Sequence, residues 1–383
     1  MADLSDLPED YEDLRRKLMW RGPANDGDRF LSVFMDQNNK CNLKCQMCGF
    51  SDARVGAVPK YDMPRALFNK IAAELFPHAN YVCLSIMTEP FMTRDFPDRL
   101  SLVKWHGVPF SDIITNGTLL NESTIRKIFE ADITRFIISI DGGTKEIFET
   151  IRRGARFETV IGNLRLVQRM RNAAGRSLPQ LRINHVLSEP NIDRFEEFLA
   201  LVESLHPEEI SVRTVSRMSN ALIQETTDPA FWRKVRAARI ALGEFCRRTQ
   251  IKDSGFLRDR PGRIELFDDA GEKLICRAPW YTLAIHANGD VYPCMAWTRP
   301  PVGNLLRHTF ADIWYGSDLA SLRREFESVK PGLDCLNCVV RRDLPRERYD
   351  DFFYEKVAKQ IPPPPTRLRS IGAAIRRLAS GAT

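Results

Sequence analysis

No apolar run in this chain approaches the ~20 residues that a bilayer crossing needs. The longest, such as Arg135-Phe-Ile-Ile-Ser-Ile-Asp141, are cut short by polar residues. The first ten residues, Met1-Ala-Asp-Leu-Ser-Asp-Leu-Pro-Glu-Asp10, are acidic. They lack the apolar core of a secretory signal and the arginines of a transit peptide, which predicts a cytoplasmic protein. Acidic residues are missing after Glu355, where Lys356, Lys359, Arg367, Arg369, Arg376 and Arg377 follow; residues 1–355 balance at 50 basic against 50 acidic side chains, so the net charge of +6 belongs to the tail. The body therefore has no electrostatic footprint for nucleic acid, and no such partner is expected. No internal repeat is visible. The apolar content of 43% and charged content of 28% exclude global disorder, and 383 residues suit one large domain with a smaller one.

Between residue 30 and about residue 216, short β-branched runs alternate with longer stretches of helical period, the pattern of βαβ units on a parallel sheet. Six strands are predicted: Phe30–Asp36, Tyr81–Ile86, Asp112–Thr115, Arg135–Ile140, Leu181–Val186 and Glu209–Thr214. Six units are too few for a closed eight-fold barrel, so the expectation is an α/β fold with an open, partial (β/α)6 barrel over 30–216. Residues 1–29 form an N-terminal extension. Residues 217–275, with a basic helical segment around Phe231 to Arg248, read as a linker and substrate-side helical cap. Residues 276–345 are rich in Gly, Pro, Cys and Trp, as in a small domain stapled by metal. Residues 346–383 carry a helix, the Pro362–Pro365 spacer and a basic tail. Leu368, Ile371, Ile375 and Leu378 fall at helical spacing there; membrane-surface contact is weighed against a solvated tail, and the latter is favoured.

In a reducing compartment nine cysteines are ligands, nucleophiles or core fillers rather than disulfides. Cys41, Cys45 and Cys48 form C-x3-C-x2-C directly after the first strand, a spacing expected by chance only about 0.005 times in such a chain. Three thiolates on one loop suit an iron-sulfur cubane with one iron left open; a zinc knuckle with a distant fourth ligand is the alternative. Cys276, Cys294, Cys335 and Cys338 form a late quartet that closes with C-x2-C and encloses Asn288-Gly289, a strong hairpin signal. Four thiolates hold either a second cluster or a structural zinc. Cys83 and Cys246 read as core or half-buried thiols; for His185 a structural role is favoured over a catalytic one, and His286 is open between the same two.

The cysteine trio resembles the loop of the radical S-adenosylmethionine (radical SAM) superfamily, with Met47 at the usually aromatic place. The resemblance implies that SAM chelates the open iron of a [4Fe-4S] cluster and is cleaved by one electron to methionine and a 5′-deoxyadenosyl radical. Met87-Thr88-Glu89-Pro90 resembles the family's Gly-Gly-Glu-Pro without its glycines. By that resemblance Glu89 and Thr88 face the SAM amino group. Asn116, in Thr115-Asn-Gly-Thr118, and Ser139 with Asp141 stand at family positions on successive strand ends, the latter two where the ribose is held. Arg152 falls where the SPASM and twitch branch has its arginine, near the SAM carboxylate. The late quartet is similar to the SPASM/twitch auxiliary domain, and with no cysteine after Cys338 one auxiliary [4Fe-4S] cluster is implied.

Together these features imply a radical SAM oxidoreductase that oxidises a substrate C–H bond, with the auxiliary cluster as electron acceptor. A small sugar-like or cyclitol-like molecule is favoured, because only about 28 residues precede the first strand and peptide-modifying relatives often carry a recognition domain there. A peptide-modifying maturase and an epimerase are the alternatives, and an iron-sulfur electron carrier a remote one. Arg213, Arg182 and Asn184, with Arg217 beyond them, are the polar groups placed at the substrate. A flavodoxin-like or ferredoxin-like low-potential donor is the implied electron partner.

Overall fold

A computed structural model describes residues 29–215, 226–254, 257, 278–295, 297 and 299–327. Within them all six expected strands form: β1 (Leu31–Met35), β2 (Ala79–Cys83), β3 (Phe110–Thr115), β4 (Arg135–Ser139), β5 (Gln180–Leu187) and β6 (Glu209–Thr214). Each lies parallel to the strand before it, because helical crossovers return the chain to the same end of the sheet. The principal crossovers are α1 (Arg65–Leu75), α2 (Glu122–Glu130), α3 (Lys145–Ile151), α4 (Phe157–Ala173) and α5 (Phe195–Leu205).

Strand periodicity separates two faces. On β5, Leu181, Ile183, His185 and Leu187 are buried while Arg182, Asn184 and Val186 are half-buried. The first set joins Phe136, Ile138 and Ile140 of the neighbouring strand in a continuous apolar core with the helices. The second set lines the inner face.

The helix expected within 217–275 is α6 (Pro229–Thr249). Asp228 caps it by accepting from Ala230 N–H, and Pro229 occupies its first turn. It packs against α5 and leads into β7 (Lys252–Asp253), parallel to β6. The helix is thus the crossover to a seventh, two-residue strand. Its buried stripe of Phe231, Trp232, Val235, Ala238, Leu242 and Phe245 requires an apolar partner.

The Asn288-Gly289 hairpin forms between β8 (Thr282–Ile285) and β9 (Asp290–Tyr292), with Gly289 at φ +86°. β8 also pairs in parallel with β1, so the small domain extends the barrel sheet: the order is β10-β9-β8-β1-β2-β3-β4-β5-β6-β7, with β10 at Gly303–Asn304. The sheet does not close. α7 (Phe310–Trp314) and α8 (Ser317–Glu327) follow. Glu74 on α1 accepts from Phe310 N–H at 2.6 Å, and Lys70 donates to the Leu305 and His308 carbonyls at 2.7 and 2.8 Å. Among the described residues no helix is long and apolar enough to cross a membrane.

Candidate active site

Parallel strands gather their C-terminal loops at one rim, and the chemistry-bearing residues follow from that arrangement. The cysteine loop leaves β1 and is pinned to the end of α3 by two backbone bonds, Lys44 N–H to Arg153 O and Gln46 N–H to Ile151 O, both 2.9 Å. Leu43 and Met47 are buried, at 1% and 9% exposed, so the loop's apolar residues anchor it while its cysteines alternate with them. Met47 thus does the packing that an aromatic ring would do.

Donors are aimed at the sulfurs. Cys41 Sγ lies 3.5 Å from Leu43 N–H and 3.9 Å from Asn116 Nδ2, and Cys45 Sγ lies 4.0 Å from Arg152 Nη1. Burial pushes the Cys41 thiol up to about 12 and the Cys45 thiol to about 11, with Glu89, Cys45 and Cys48 raising the first further and Asp141 and Cys48 the second. Among the described residues no three Cys, His, Asp or Glu side chains converge into a preformed metal cage. Protonated thiols have no reason to converge; a metal gathers them by displacing their protons. Three thiols on one loop with N–H and guanidinium donors directed at two of them fit a thiolate-bound cluster.

Glu89 is 1% exposed and well held: Thr115 Oγ1 donates to Oε1 at 2.8 Å, Asn116 N–H to Oε2 at 2.8 Å, and Phe91 N–H to Oε1 at 3.3 Å. Burial raises its carboxyl to about 7 against these donors, so a nearby cation would favour the charged form. Asn116 continues the link, donating to Asn42 Oδ1 at 2.8 Å and accepting from Thr118 N–H and Oγ1. Glu89, Asn116 and Cys41 therefore form one connected group.

Asp36, at the end of β1, is a residue that the sequence reading passed over. Its Oδ1 accepts from three consecutive N–H groups, Ile86 at 2.9 Å, Met87 at 3.1 Å and Thr88 at 3.3 Å, and from Thr88 Oγ1 at 3.0 Å. Its own N–H donates to Ile285 O of β8 at 3.0 Å. Neither Met87 nor Thr88 has positive φ. The loop before Glu89 thus adopts its shape without glycine, held by a carboxylate in a nest of amides. The available signal was an acid at a strand end just ahead of the cysteine loop.

Asp141 and Arg152 are 0% and 8% exposed and meet as an ion pair at 2.7 Å. The approach is poorly angled for a hydrogen bond, which leaves Asp141 Oδ2 and Arg152 Nε without hydrogen-bond partners. Asp141 Oδ1 accepts from Val186 N–H at 2.7 Å. Asp141 is therefore committed to the chain, whereas Ser139 is half-buried and paired in register with Asn184 on the inner face. Gly142 and Gly143 follow, and a Cβ on Gly143 would lie 2.3 Å from Glu197 C and 2.4 Å from Phe198 N, so α5 crosses directly over this turn.

Arg182 and Asn184 line the inner face of β5, and Arg213 is exposed on β6 in register with Val186. Cys83 is 2% exposed, donates to Ser85 O at 3.1 Å and has its thiol raised to about 12 by burial. His185 stacks on Phe198 at 3.8 Å with Nδ1 2.9 Å from Ile140 O, and burial lowers its pKa to about 4; it is a neutral core histidine. His286 lies 4.6 Å from the Tyr292 ring. Cys246 is half-buried on α6. Cys294 is half-buried after β9, while Cys276, Cys335, Cys338, Arg217 and the tail lie outside the described residues.

The profile of the Radical SAM superfamily matches residues 38–202, and that of the SPASM iron-sulfur cluster-binding domain matches residues 276–339. A tungsten-containing aldehyde ferredoxin oxidoreductase cofactor-modifying protein of Pyrococcus furiosus is 30% identical over 114 residues, 28% of this chain and 30% of that protein. The match thus spans less than a third of that relative's length. Mycofactocin maturase MftC of Mycolicibacterium smegmatis is 25% identical over 312 residues, covering 77% of this chain and 72% of the maturase. Among solved structures, Streptococcus suis SuiB shares the fold at TM-score 0.62 and 18% identity, over 78% of this chain and 68% of SuiB. The protein anSMEcpe, solved with bound AdoMet, does so at 0.57 and 16%, over 86% of this chain and 95% of its own. The chain therefore carries a radical SAM domain over residues 38–202 followed by a C-terminal SPASM iron-sulfur cluster-binding domain over residues 276–339.

Proposed function

We propose that this enzyme modifies a peptide, with Cys41, Cys45 and Cys48 holding the SAM-cleaving cluster and Cys276, Cys294, Cys335 and Cys338 holding one auxiliary cluster. The observation that carries the peptide reading is the similarity to a maturase along 77% of this chain and 72% of that protein. The SuiB fold has also been solved with the precursor peptide SuiA. This reverses the weight given to a sugar or cyclitol, which rested on the short stretch ahead of β1 and not on any residue that recognises a sugar.

When bound, the cofactors supply a 5′-deoxyadenosyl radical that takes a substrate hydrogen atom and an oxidised cluster that takes the second electron. The chain's own contribution is positioning. Glu89, stiffened by Thr115 and Asn116, offers a carboxylate to the SAM ammonium, with Thr88 beside it. Arg152, paired with Asp141, would hold the SAM carboxylate, and Ser139 would supply a hydroxyl from the inner face. A guanidinium is a donor and not a base, so Arg182 and Arg213 would orient substrate with Asn184 and not accept its proton. A flavodoxin-like or ferredoxin-like donor would meet the chain where Lys44, Arg153 and Arg156 are exposed around the cysteine loop.

The test is anaerobic incubation of the reduced holoprotein with peptides encoded beside its gene and, in parallel, with sugars and cyclitols. Loss of two hydrogens from a peptide per 5′-deoxyadenosine supports the proposal. The same loss from a sugar alone would return the small-molecule reading, and unchanged peptide mass with solvent deuterium at carbon would make the enzyme an epimerase.

A further inference from the structure

The inner face of the sheet carries a guanidinium with no acid to meet it. Strand register places Arg182 beside Ile137 and Glu209, Asn184 beside Ser139 and Ser211, and Val186 beside Arg213. Paired residues in adjacent strands point to the same side, so Arg182, Asn184, Ser139, Ser211 and Arg213 share that face. It also holds two carboxylates near Arg182, and Arg135 takes both. Arg135 lies 2.6 Å from Asp112 and 3.0 Å from Glu209, Tyr81 donates to Asp112 at 2.7 Å, and Lys252 stands 3.6 Å from Glu209.

Arg182 is left with one neutral partner. Its Nε donates to Asn184 Oδ1 at 3.1 Å. That bond draws the guanidinium toward the C-terminal end of β5, the rim that carries the cysteine loop and Glu89. Among the described residues no acid lies within ion-pair distance of Arg182. Its charge is nevertheless felt at Tyr81 and Cys83 on β2, three strands away, so it reaches across the interior of the sheet. Burial and the Arg135 charge lower its pKa from the ordinary arginine value, and the Asp112 and Glu209 carboxylates, both held by Arg135, offset this only in part. A half-buried guanidinium without a counter-ion costs stability, and a fold retains one where a ligand supplies the counter-ion.

We propose that Arg182 is the anion-binding residue of the substrate site and that the substrate is held on the inner face by a carboxylate seated on Arg182, with Asn184 fixing the guanidinium and Arg213 flanking it. This rests on the peptide reading above for its source: the carboxylate is an acidic side chain near the modified residue or the peptide's C-terminus. The chemistry is the same for both, a planar carboxylate on a planar guanidinium.

Four probes separate the outcomes, each titrated calorimetrically into the anaerobic holoprotein: N-acetyl-Gly-Glu-Gly-amide, its Gln isostere, N-acetyl-Gly-Gly-Gly with a free C-terminus, and glutarate. At least one carboxylate probe is expected to bind and to weaken tenfold or more in Arg182→Gln, while the Gln isostere shows no binding. Which tripeptide binds names the source of the carboxylate. Binding of glutarate alone, lost in Arg182→Gln, supports the anion site and counts against the peptide reading. The inference is overturned if no carboxylate probe binds, if the Gln isostere binds as tightly as the Glu peptide, or if Arg182→Gln leaves binding unchanged. A second measurement needs no ligand: Arg182→Met should melt at or above the wild-type temperature. A drop of several degrees would make Arg182 a structural residue and overturn the inference.

Discussion

Arg152→Met removes the only cation facing the buried Asp141 carboxylate among the described residues. At 2.7 Å the pair has a gross attraction of about 6 kcal/mol for an effective dielectric of about 20. Desolvation of both groups offsets much of this, but removing one partner leaves the other charge buried, which costs roughly 3–5 kcal/mol. Asp141 is 0% exposed and would retain only Val186 N–H. At ~2 °C per kcal/mol for a protein of this size, anaerobic thermal unfolding of the holoprotein should begin roughly 6–10 °C lower. Asp141→Asn in the same chain removes the stranded charge while an amide oxygen can still accept from Val186, so the double variant should recover most of the loss. A single variant within 2 °C of wild type, or a double variant no better than the single, would refute the claim that this pair ties the end of β4 to the end of α3.

Replacing Cys41, Cys45 and Cys48 together by Ala should abolish 5′-deoxyadenosine formation while circular dichroism keeps its wild-type shape, since the thiols lie on a rim loop outside the sheet. Changing Cys335 and Cys338 to Ala should lower bound iron from about eight atoms to about four; SAM cleavage should survive while substrate oxidation fails, and zinc in the wild-type protein would count against a second cluster. Gly143→Ala should destabilise by at least ~2 kcal/mol because its Cβ meets the backbone of Glu197 and Phe198, whereas Gly162→Ala on α4 meets nothing within 4 Å and should stabilise by ~0.5–1 kcal/mol. Equal melting temperatures for the two glycine variants would defeat that reading of α5 packing.

The sequence alone determined what depends on local pattern. Short β-branched and apolar runs located all six barrel strands, the spacing of Cys41, Cys45 and Cys48 singled out the loop proposed to hold a cluster, and Asn288-Gly289 announced the hairpin that forms around φ +86°. Tertiary structure decided what depends on which segments become neighbours. That β8 pairs with β1 and that α6 feeds a seventh strand are matters of long-range pairing, to which hydrophobic period is blind. The glycines missing before Glu89 left the shape of that loop open until Asp36 proved to hold its amides from another strand. That Asp141, one of a ribose-facing pair by resemblance, meets Arg152 as an ion pair is likewise a matter of tertiary structure. Arg135 and Arg182 are both strand arginines and indistinguishable in a one-dimensional reading. Only the tertiary structure shows that one captures Asp112 and Glu209 while the other forms no ion pair among the described residues, because the energy of a charge is set by neighbours that the chain order does not contain.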